Sequence, residues 1–549
     1  MTDHRSPPLG VRYRRVLRHF QQADTPVRLL TIAVVAILLA DLLGLGGIGG
    51  SKTTSTGTGG LASNSRPANA PGVGQPDTAT NPSVTGPSGP LSTAPGATSG
   101  PGATPGTDQT GATFAPGGPA PSGSISKVPL TASDRGVSPT TIRVVFPWPN
   151  LGPIGQATGL DTSSEDNVRS ITTFVNDINA RGGINGRKID PEIVSFNPLD
   201  DSDMRSKCIK WTQDEKVFAV VDSIAWHDDH QLCITQEGHT PLISGWSAVP
   251  LFTQEGNPNL WWTGPDEAAI VQNLVRWAVA RHALTPQTKF GIVSADRQQD
   301  TISVNQYLLP ALRQAGLQAA DVEGMHFDSS DGLDSSIQAP GIVTRMRAKG
   351  VTTVIPMLPF LNLSAFMNEA KNQKWNPVEL LSDYESGLTA GLGLADAGYA
   401  NADNQVGPTS YVLGTHDDTR GYDPQGLDCY NVWMKANPGV TPPPAHWLEA
   451  TGTAMTWCEN IRLFSQAAAL AGPSLTRAGF DAAMAKIDHF PGTVVPDLSF
   501  SSSRHAGPHQ YRTIQIHENG DKKCPKKADG GDQGSCWLIL SDWQEMQTG

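Results

Sequence analysis

INARGGINGRKI, residues 178–189, places two adjacent glycines, an Asn-Gly pair and three basic residues between an amphipathic run and a β-rich run. Upstream, Val168, Ile171, Phe174, Val175 and Ile178 recur at helical spacing. Ser163 and Ser164, followed by Glu165 and Asp166, supply an N-cap and an acidic first turn. The helix must stop at Gly182-Gly183, where a left-handed residue closes it. Asn185-Gly186 then makes a tight turn into a strand around Glu192 to Phe196, and Pro191 at the strand's entry marks it as an edge. The stretch is a helix stop, a turn and an edge-strand start, and its basic residues are expected to be solvated.

The same rhythm runs outward. Strands are expected at Thr141 to Phe146, Val217 to Asp222 and Pro241 to Ser244, with helices between them. It restarts after Trp261-Trp262: helix Glu267 to Arg281, strand Lys289 to Ser294, helix Ser303 to Gln314 and strand Val322 to Phe327. Helix Ile342 to Ala348, strand Thr352 to Leu358, a helix to Lys374 and a strand ending near Asp383 follow. Such alternation implies parallel sheets with helices on both faces. Two successive sheets of similar size imply two lobes, with a ligand cleft between the carboxyl ends of their strands.

At 549 residues the chain exceeds one core. From about Gly46 to Ser126 it is Gly, Pro, Ser, Thr and Ala, a composition that cannot bury enough surface to fold. As a flexible tether of about 80 residues it spans on the order of 50 Å. Before it, Arg5, Arg12, Arg14, Arg15, Arg18 and Arg28 precede an apolar run from Leu29 to Ile48 that is interrupted by Asp41. Positive charge at that place retains the N-terminus inside the cell. The segments are a basic cytoplasmic leader over 1–27, a membrane segment over 28–48, a linker over 49–135 and a folded body over 136–549. The long leader and the lack of an A-x-A site favour an uncleaved single-pass anchor over a cleaved signal, which would give a secreted protein. Either way the body is exported.

The six cysteines fall in three neighbourhoods, Cys208 and Cys233, Cys429 and Cys458, Cys524 and Cys536. An even number in an exported chain reads as disulfides, with the pairing left open. A net charge of −12 without a basic patch excludes nucleic acid as a partner. Gly44-x-Gly46-x-x-Gly49 follows no strand and is no dinucleotide fingerprint. His227-Asp228-Asp229-His230 is the best enzyme-like cluster, since His at i and i+3 share a helical face, but no third metal ligand is placed by the sequence. No cofactor and no catalytic residue are implied.

The segments GVSPTTIRVVF (136–146), NDINARGGINGRKI (176–189), DEKVFAVVDS (214–223), HTPLISG (239–245) and LTRAGFDAAMAKI (475–487) resemble, in order and spacing, the type I periplasmic binding proteins. The likeness is to their leucine/isoleucine/valine-binding branch, receptors of ABC transporters, and extends from about Gly136 to Trp543. It implies two Rossmann-like α/β lobes joined by three crossings, near Pro265, Thr415 to Asp418 and Ser499. Lobe 1 would take 136–265 and 418–499, and lobe 2 would take 266–417 and 500–549. In the implied 2-1-3-4-5 strand order, right-handed crossovers put Cys208 and Cys233 on one face, so the two are expected to bond.

The resemblance also implies a small polar solute, an amino acid or amide-like molecule, held by backbone N–H groups, hydroxyls and a carboxylate. After strand one, Trp148 and Asn150 stand where relatives carry a Leu-Thr-Gly-Pro type loop, and the threonine is absent. Ser223 and Trp226 follow strand three, and Ser244, Trp246 and Ser247 follow strand four. In lobe 2, Asp296 begins a loop that lacks the Tyr-Gly of relatives, Leu358 opens the next, and Asp383, Tyr384 and Glu385 complete the set. Asp383 or Glu385 is the natural partner for an ammonium group. The plainer readings make the tryptophans core or lobe packing, Ser223 and Ser244 helix caps, and Asp383 and Glu385 solvated loop charges.

The function expected is that of an exported, tethered receptor that closes on its solute and presents it to an ABC permease. A sensor or cell-envelope interaction protein on the same fold is the alternative, and a metal hydrolase built on the His227–His230 cluster is a third.

Overall fold

The computed structural model describes residues 129–549 apart from 151–164, 199, 223–229, 246–248, 257, 328–331, 389–404, 413–423, 440–449, 519, 525–533 and 547–549. The leader, the apolar run, most of the linker and the Ser163-Ser164 cap lie outside the described residues. Among those described, no helix is long and apolar enough to cross a membrane. All of them belong to one compact unit, Gly106–Gly549.

The first sheet holds β1 (Thr141–Pro149), β2 (Lys188–Phe196), β3 (Ala219–Val221), β4 (Leu242–Ser244) and β5 (Leu260–Trp262), all parallel in the order β2-β1-β3-β4-β5. Pro191 lies in the edge strand, as its missing N–H requires. β1 is buried on both faces and is accordingly apolar almost without break. Val144 and Phe146 enter the core shared with α1 (Glu165–Ala180), and Val145 enters the opposite core. That second core also takes Met204 and Cys208 of α2 (Asp201–Ile209), Leu232 of α3 (His230–Leu232) and Phe252 of α4 (Pro250–Gly256). After α1, Gly182 and Gly183 have φ of 106° and 71°, and a Cβ on Gly183 would stand 2.0 Å from the carbonyl oxygen of Arg187. Asn185 and Gly186, with φ of 49° and 88°, form the tight turn into β2.

The second sheet places β6 (Phe290–Ala295), β7 (Asp321–Met325), β8 (Thr353–Met357), β9 (Val378–Leu380) and β10 (Gln405–Thr409) parallel in the order β7-β6-β8-β9-β10. Its helices are α5 (Glu267–Ala280), α6 (Gln298–Ile302), α7 (Leu309–Gln314), α8 (Gly332–Ala348) and α9 (Phe360–Asn372). After β10 the chain returns to the first sheet, where α10 (Pro424–Ala436), α11 (Ala450–Leu470) and α12 (Arg477–Met484) pack into the core of β1 and α1. A hairpin of β11 (Phe490–Pro491) and β12 (Asp497–Leu498) follows, and Ala506 bridges in parallel to Trp262. The expectation of two sheets of similar size needs correction. β13 (Gln510–His517), β14 (Cys536–Ile539) and β15 (Gln544–Glu545) add antiparallel to β10, so the second sheet has eight strands and is mixed. Disulfides join Cys208 to Cys233, Cys429 to Cys458 and Cys524 to Cys536. The first is the pair that the strand order implies.

The basic residues of the opening stretch also depart from expectation. Lys188 is exposed, and Arg181 pairs with Asp177 and Asp428. Arg187, however, is fully buried at 0% exposure. Its Nε donates to the carbonyl of Ser138 at 2.7 Å, Nη1 to Pro473 at 2.8 Å and Nη2 to Thr131 at 2.9 Å. The turn points this side chain inward, across the amino ends of β1 and β2, where three backbone acceptors would otherwise be stranded. Around it Ser133 donates to Leu475 O at 2.5 Å, and Asp134 pairs with Arg477 at 3.0 Å.

Four carboxyls are sunk where the chain passes between the sheets. Asp266 caps α5 through the N–H of Ala269, and Asp383 accepts from Thr409 and Ser410. Asp481 accepts from the Trp261 indole, and Glu459 accepts from the amides of residues 493 to 495. Burial pushes Asp266 and Asp383 up to about 6, and Glu459 and Asp481 up to about 7.

Replacing Arg187 by Lys keeps the charge but loses the planar fork, and should cost about 2–4 kcal/mol of stability in urea unfolding. An unchanged midpoint would refute the clasp. The pH dependence follows from the raised carboxyls. Each has a folded pKa above its unfolded value, so its stabilising contribution is complete below about pH 4 and is lost as pH rises through 6 to 7. Asp134, whose desolvation is outweighed by hydrogen bonds from Arg477 and Arg135, and Glu237, bonded by Arg205, titrate below their ordinary values and lose their contribution only in stronger acid. His505, lowered by burial, opposes the trend as a single group. The melting temperature should therefore rise from pH 8 to about pH 5 and fall below pH 4, as read by calorimetry across that range.

Candidate functional site

Parallel strands wound by right-handed crossovers leave their carboxyl ends together, and those ends carry the candidate site. In the first sheet Trp148, near the end of β1, packs half-buried against the core. Asn150 follows with its side chain exposed and its N–H bonded to Phe196 O at 2.8 Å. Ser244, at the end of β4, is fully buried, and its hydroxyl is 3.4 Å from the carboxylate of Asp222, which directly follows β3. Asn460 of α11 donates to Asp222 O at 2.5 Å and accepts from the Thr263 hydroxyl at 2.9 Å. The ends of β3, β4 and β5 are thereby tied to one helix. Ser223, Trp226, Trp246 and Ser247 lie outside the described residues, as do His227, Asp228 and Asp229. His230 is buried, with Nε2 3.2 Å from Asp201.

In the second sheet the strand ends build a denser network. Asp296 bonds the His326 ring at 2.7 Å and the Phe327 N–H at 3.0 Å. Arg297 grips Asp300 through Nε at 2.7 Å and Nη2 at 3.0 Å, and also pairs with Glu385. The Tyr384 hydroxyl donates to Asp300 at 2.5 Å, the Ser303 hydroxyl donates to Glu267 at 2.8 Å, and the guanidinium lies 4.9 Å from the Phe327 ring centre. Glu385 holds φ of 49°, a strained conformation for a residue with a Cβ. Burial, followed by the charges of Glu385 and Asp300, pushes Glu267 well above the ordinary glutamate value. The same effects raise the Tyr384 phenol.

Asp383, Tyr384 and Glu385 are all buried, which overturns the reading of Asp383 and Glu385 as solvated charges. Asp383 turns away from the Arg297 network to Thr409 and Ser410, at 2.7 and 2.6 Å. Leu358 is a core residue. A groove of about 640 Å³ lies beside the end of β1, between α1 and the end of α10, and its walls include Trp148, Arg169, Thr173 and Asn437. Sequence reasoning missed Asp222, Glu267, Arg297, Asp300 and Asn460. The available signals were Asp222 as a polar residue immediately after a buried strand, and Arg297 with Asp300 at i and i+3 on a helix start.

A family model described as a periplasmic binding protein matches residues 150–521, more than half of the chain. No curated protein sequence matches. Among solved structures, a fatty acid ABC transporter substrate-binding protein from Thermomonospora curvata is 15% identical with a TM-score of 0.56, covering 76% of this chain and 95% of that one. A possible leucine/isoleucine/valine-binding protein from Rhodopirellula baltica is 12% identical with a TM-score of 0.54, covering 76% and 98%. A branched chain amino acid ABC transporter from Thermus thermophilus with bound valine is 14% identical with a TM-score of 0.53, covering 74% and 97%. At such identities these likenesses concern the fold. With the matched model, the parallel first sheet and the mixed second sheet with its five parallel strands, they make this chain a member of the type I periplasmic binding proteins.

Proposed function

We propose that the protein is an extracytoplasmic solute-binding protein that captures a small polar ligand, an amino acid or amide-like molecule, by closing two lobes on it for an ABC transporter. The observation that carries this reading is the charged network at the carboxyl ends of the second sheet. There one guanidinium, Arg297, stands among Glu267, Asp300 and Glu385, facing the chemistry of a ligand with charged ends. Asp222 and Ser244 supply polar groups at the corresponding ends of the first sheet.

Lobe 1 takes 136–265 and 418–499, lobe 2 takes 266–417 and 500–549, and the ligand lies between them. The residues expected from the family, from Trp148 and Asn150 to Asp296 and Glu385, form its walls. The apolar run over 28–48 anchors the chain in the cell membrane with the body exported, and the permease is the membrane partner. The long tether favours a second reading, a membrane-attached sensor that uses the same closure without transport.

A thermal-shift screen of the purified protein against amino acids, amides and small organic acids tests the proposal. A ligand at a hundredfold excess over its Kd adds about 2.7 kcal/mol, a readily seen rise in melting temperature. Stabilisation by one of these classes is expected, and Glu385→Gln should weaken it about tenfold or more if the carboxylate orders the ligand's ammonium end. No shift by any solute at millimolar concentration would count against a receptor. Binding without permease-dependent uptake would favour the sensor.

A further inference from the structure

Helix α11 comes late in the chain, yet one of its side chains is built into the carboxyl end of the first sheet. Asn460 is fully buried. Its Nδ2 donates to Asp222 O at 2.5 Å, 238 residues away in sequence, and its Oδ1 accepts from the Thr263 hydroxyl at 2.9 Å, 197 residues away. Asp222 follows β3, and its carboxylate lies 3.4 Å from the hydroxyl of Ser244, the last residue of β4. Thr263 follows β5, and its N–H donates to Ser244 O at 2.9 Å. One amide thus spans from a polar wall of the candidate site to the segment that carries the chain toward the second sheet. Past Thr263 come Gly264 and Pro265, and Asp266 then caps α5 through the Ala269 N–H at 3.0 Å. The last crossing segment is joined to the same place, since Trp262 N–H donates to His505 O at 2.8 Å and Gly507 N–H to Trp262 O at 2.9 Å. The preceding residue of α11, Glu459, serves the remaining passage: it accepts from Val494 N–H at 2.9 Å, and Val494 O accepts from Val412 N–H at 2.8 Å.

We propose that Asn460 is a positioning residue for lobe closure: it fixes the first crossing to the wall formed by Asp222 and Ser244, so that a ligand's pull on that wall is delivered to a pivot at Gly264-Pro265. The inference rests on the two-lobe reading given above. A hinge needs a few residues that absorb the rotation, with fixed points on either side of them. Asn460 supplies the fixed point on the side of the first sheet, and the Asp266 cap supplies the one on α5. A helix suits the task, because α11 is a stiff element of 21 residues whose core packing ties it to β1 and α1. The position also calls for a primary amide. It must donate at one end and accept at the other, whereas a carboxylate only accepts and an ammonium or guanidinium only donates. A leucine there leaves both the Asp222 carbonyl and the Thr263 hydroxyl without this partner, and the crossing loses its tie to the wall.

Pulsed electron paramagnetic resonance on the purified full-length protein tests this without any solute. A failed solute screen therefore leaves it standing, and its own failure leaves the receptor reading standing. All six cysteines are paired, so thiols introduced at the exposed positions Thr172 of α1 and Ile337 of α8 are the ones free to take spin labels. The two positions fall in different lobes, and the distribution of their separation reads the hinge. Asn460→Leu should widen that distribution about twofold, and Thr263→Val should widen it too, with the double variant no wider than Asn460→Leu alone. A contact that only stabilised the core would lower the melting temperature and leave the width unchanged. A lowered melting temperature with the wild-type width in Asn460→Leu therefore overturns the proposal. Additive widening in the double variant also overturns it, because the two residues would then not act through one bond. If Asn460→Leu does not fold, the width in Thr263→Val decides alone.

Discussion

A guanidinium satisfied by three backbone carbonyls organises the base of the first sheet. Arg187 reaches Thr131, the approach to β1 at Ser138 and the turn after α11 at Pro473, which lie 56, 49 and 286 residues from it in sequence. A planar donor set can serve three carbonyls at once where a lysine serves them poorly. Because the amino ends of β1 and β2 are fixed in this way, the carboxyl ends of that sheet can carry buried polar groups. The polar groups at Asp222 and Ser244 lie at those ends, opposite the clasp.

The second organising theme is the cost of burying carboxylates. Asp300 and Glu385 share one arginine and Glu267 accepts from Ser303, while the hydrogen-bond donors to Asp383, Glu459 and Asp481 are neutral hydroxyl, amide and indole groups. Such groups weaken the fold at neutral pH, so their presence calls for a role other than stability.

Much of this architecture is legible in the sequence because local signals agree with the tertiary outcome. Gly182-Gly183, Asn185-Gly186 and Pro191 each require one backbone state, and the structure adopts it. Helix Glu267–Ala280 and strand Phe290–Ala295 follow from periodicity alone. Arg187 was not legible, since a turn states where a side chain begins and not which way the packing draws it. The strands of residues 510–545 escaped because their short alternating runs join a sheet whose other strands end more than a hundred residues earlier. At the site, the family pattern pointed to the loop of Asp383 to Glu385. Three-dimensional packing separates Asp383, turned toward Thr409 and Ser410, from Glu385, turned toward Arg297.

The return of α10, α11 and α12 to the first sheet bears on how the protein is made. The core of β1 and α1 receives Phe464 and Phe480, which are synthesised some two hundred residues after β5, once the parallel part of the second sheet has been passed. Until they arrive, that side of an otherwise finished sheet is covered by α1 alone. The core of the first sheet cannot be completed as that sheet emerges. The first-made half must wait, partly assembled and exposed to wrong partners, for the chain to come back.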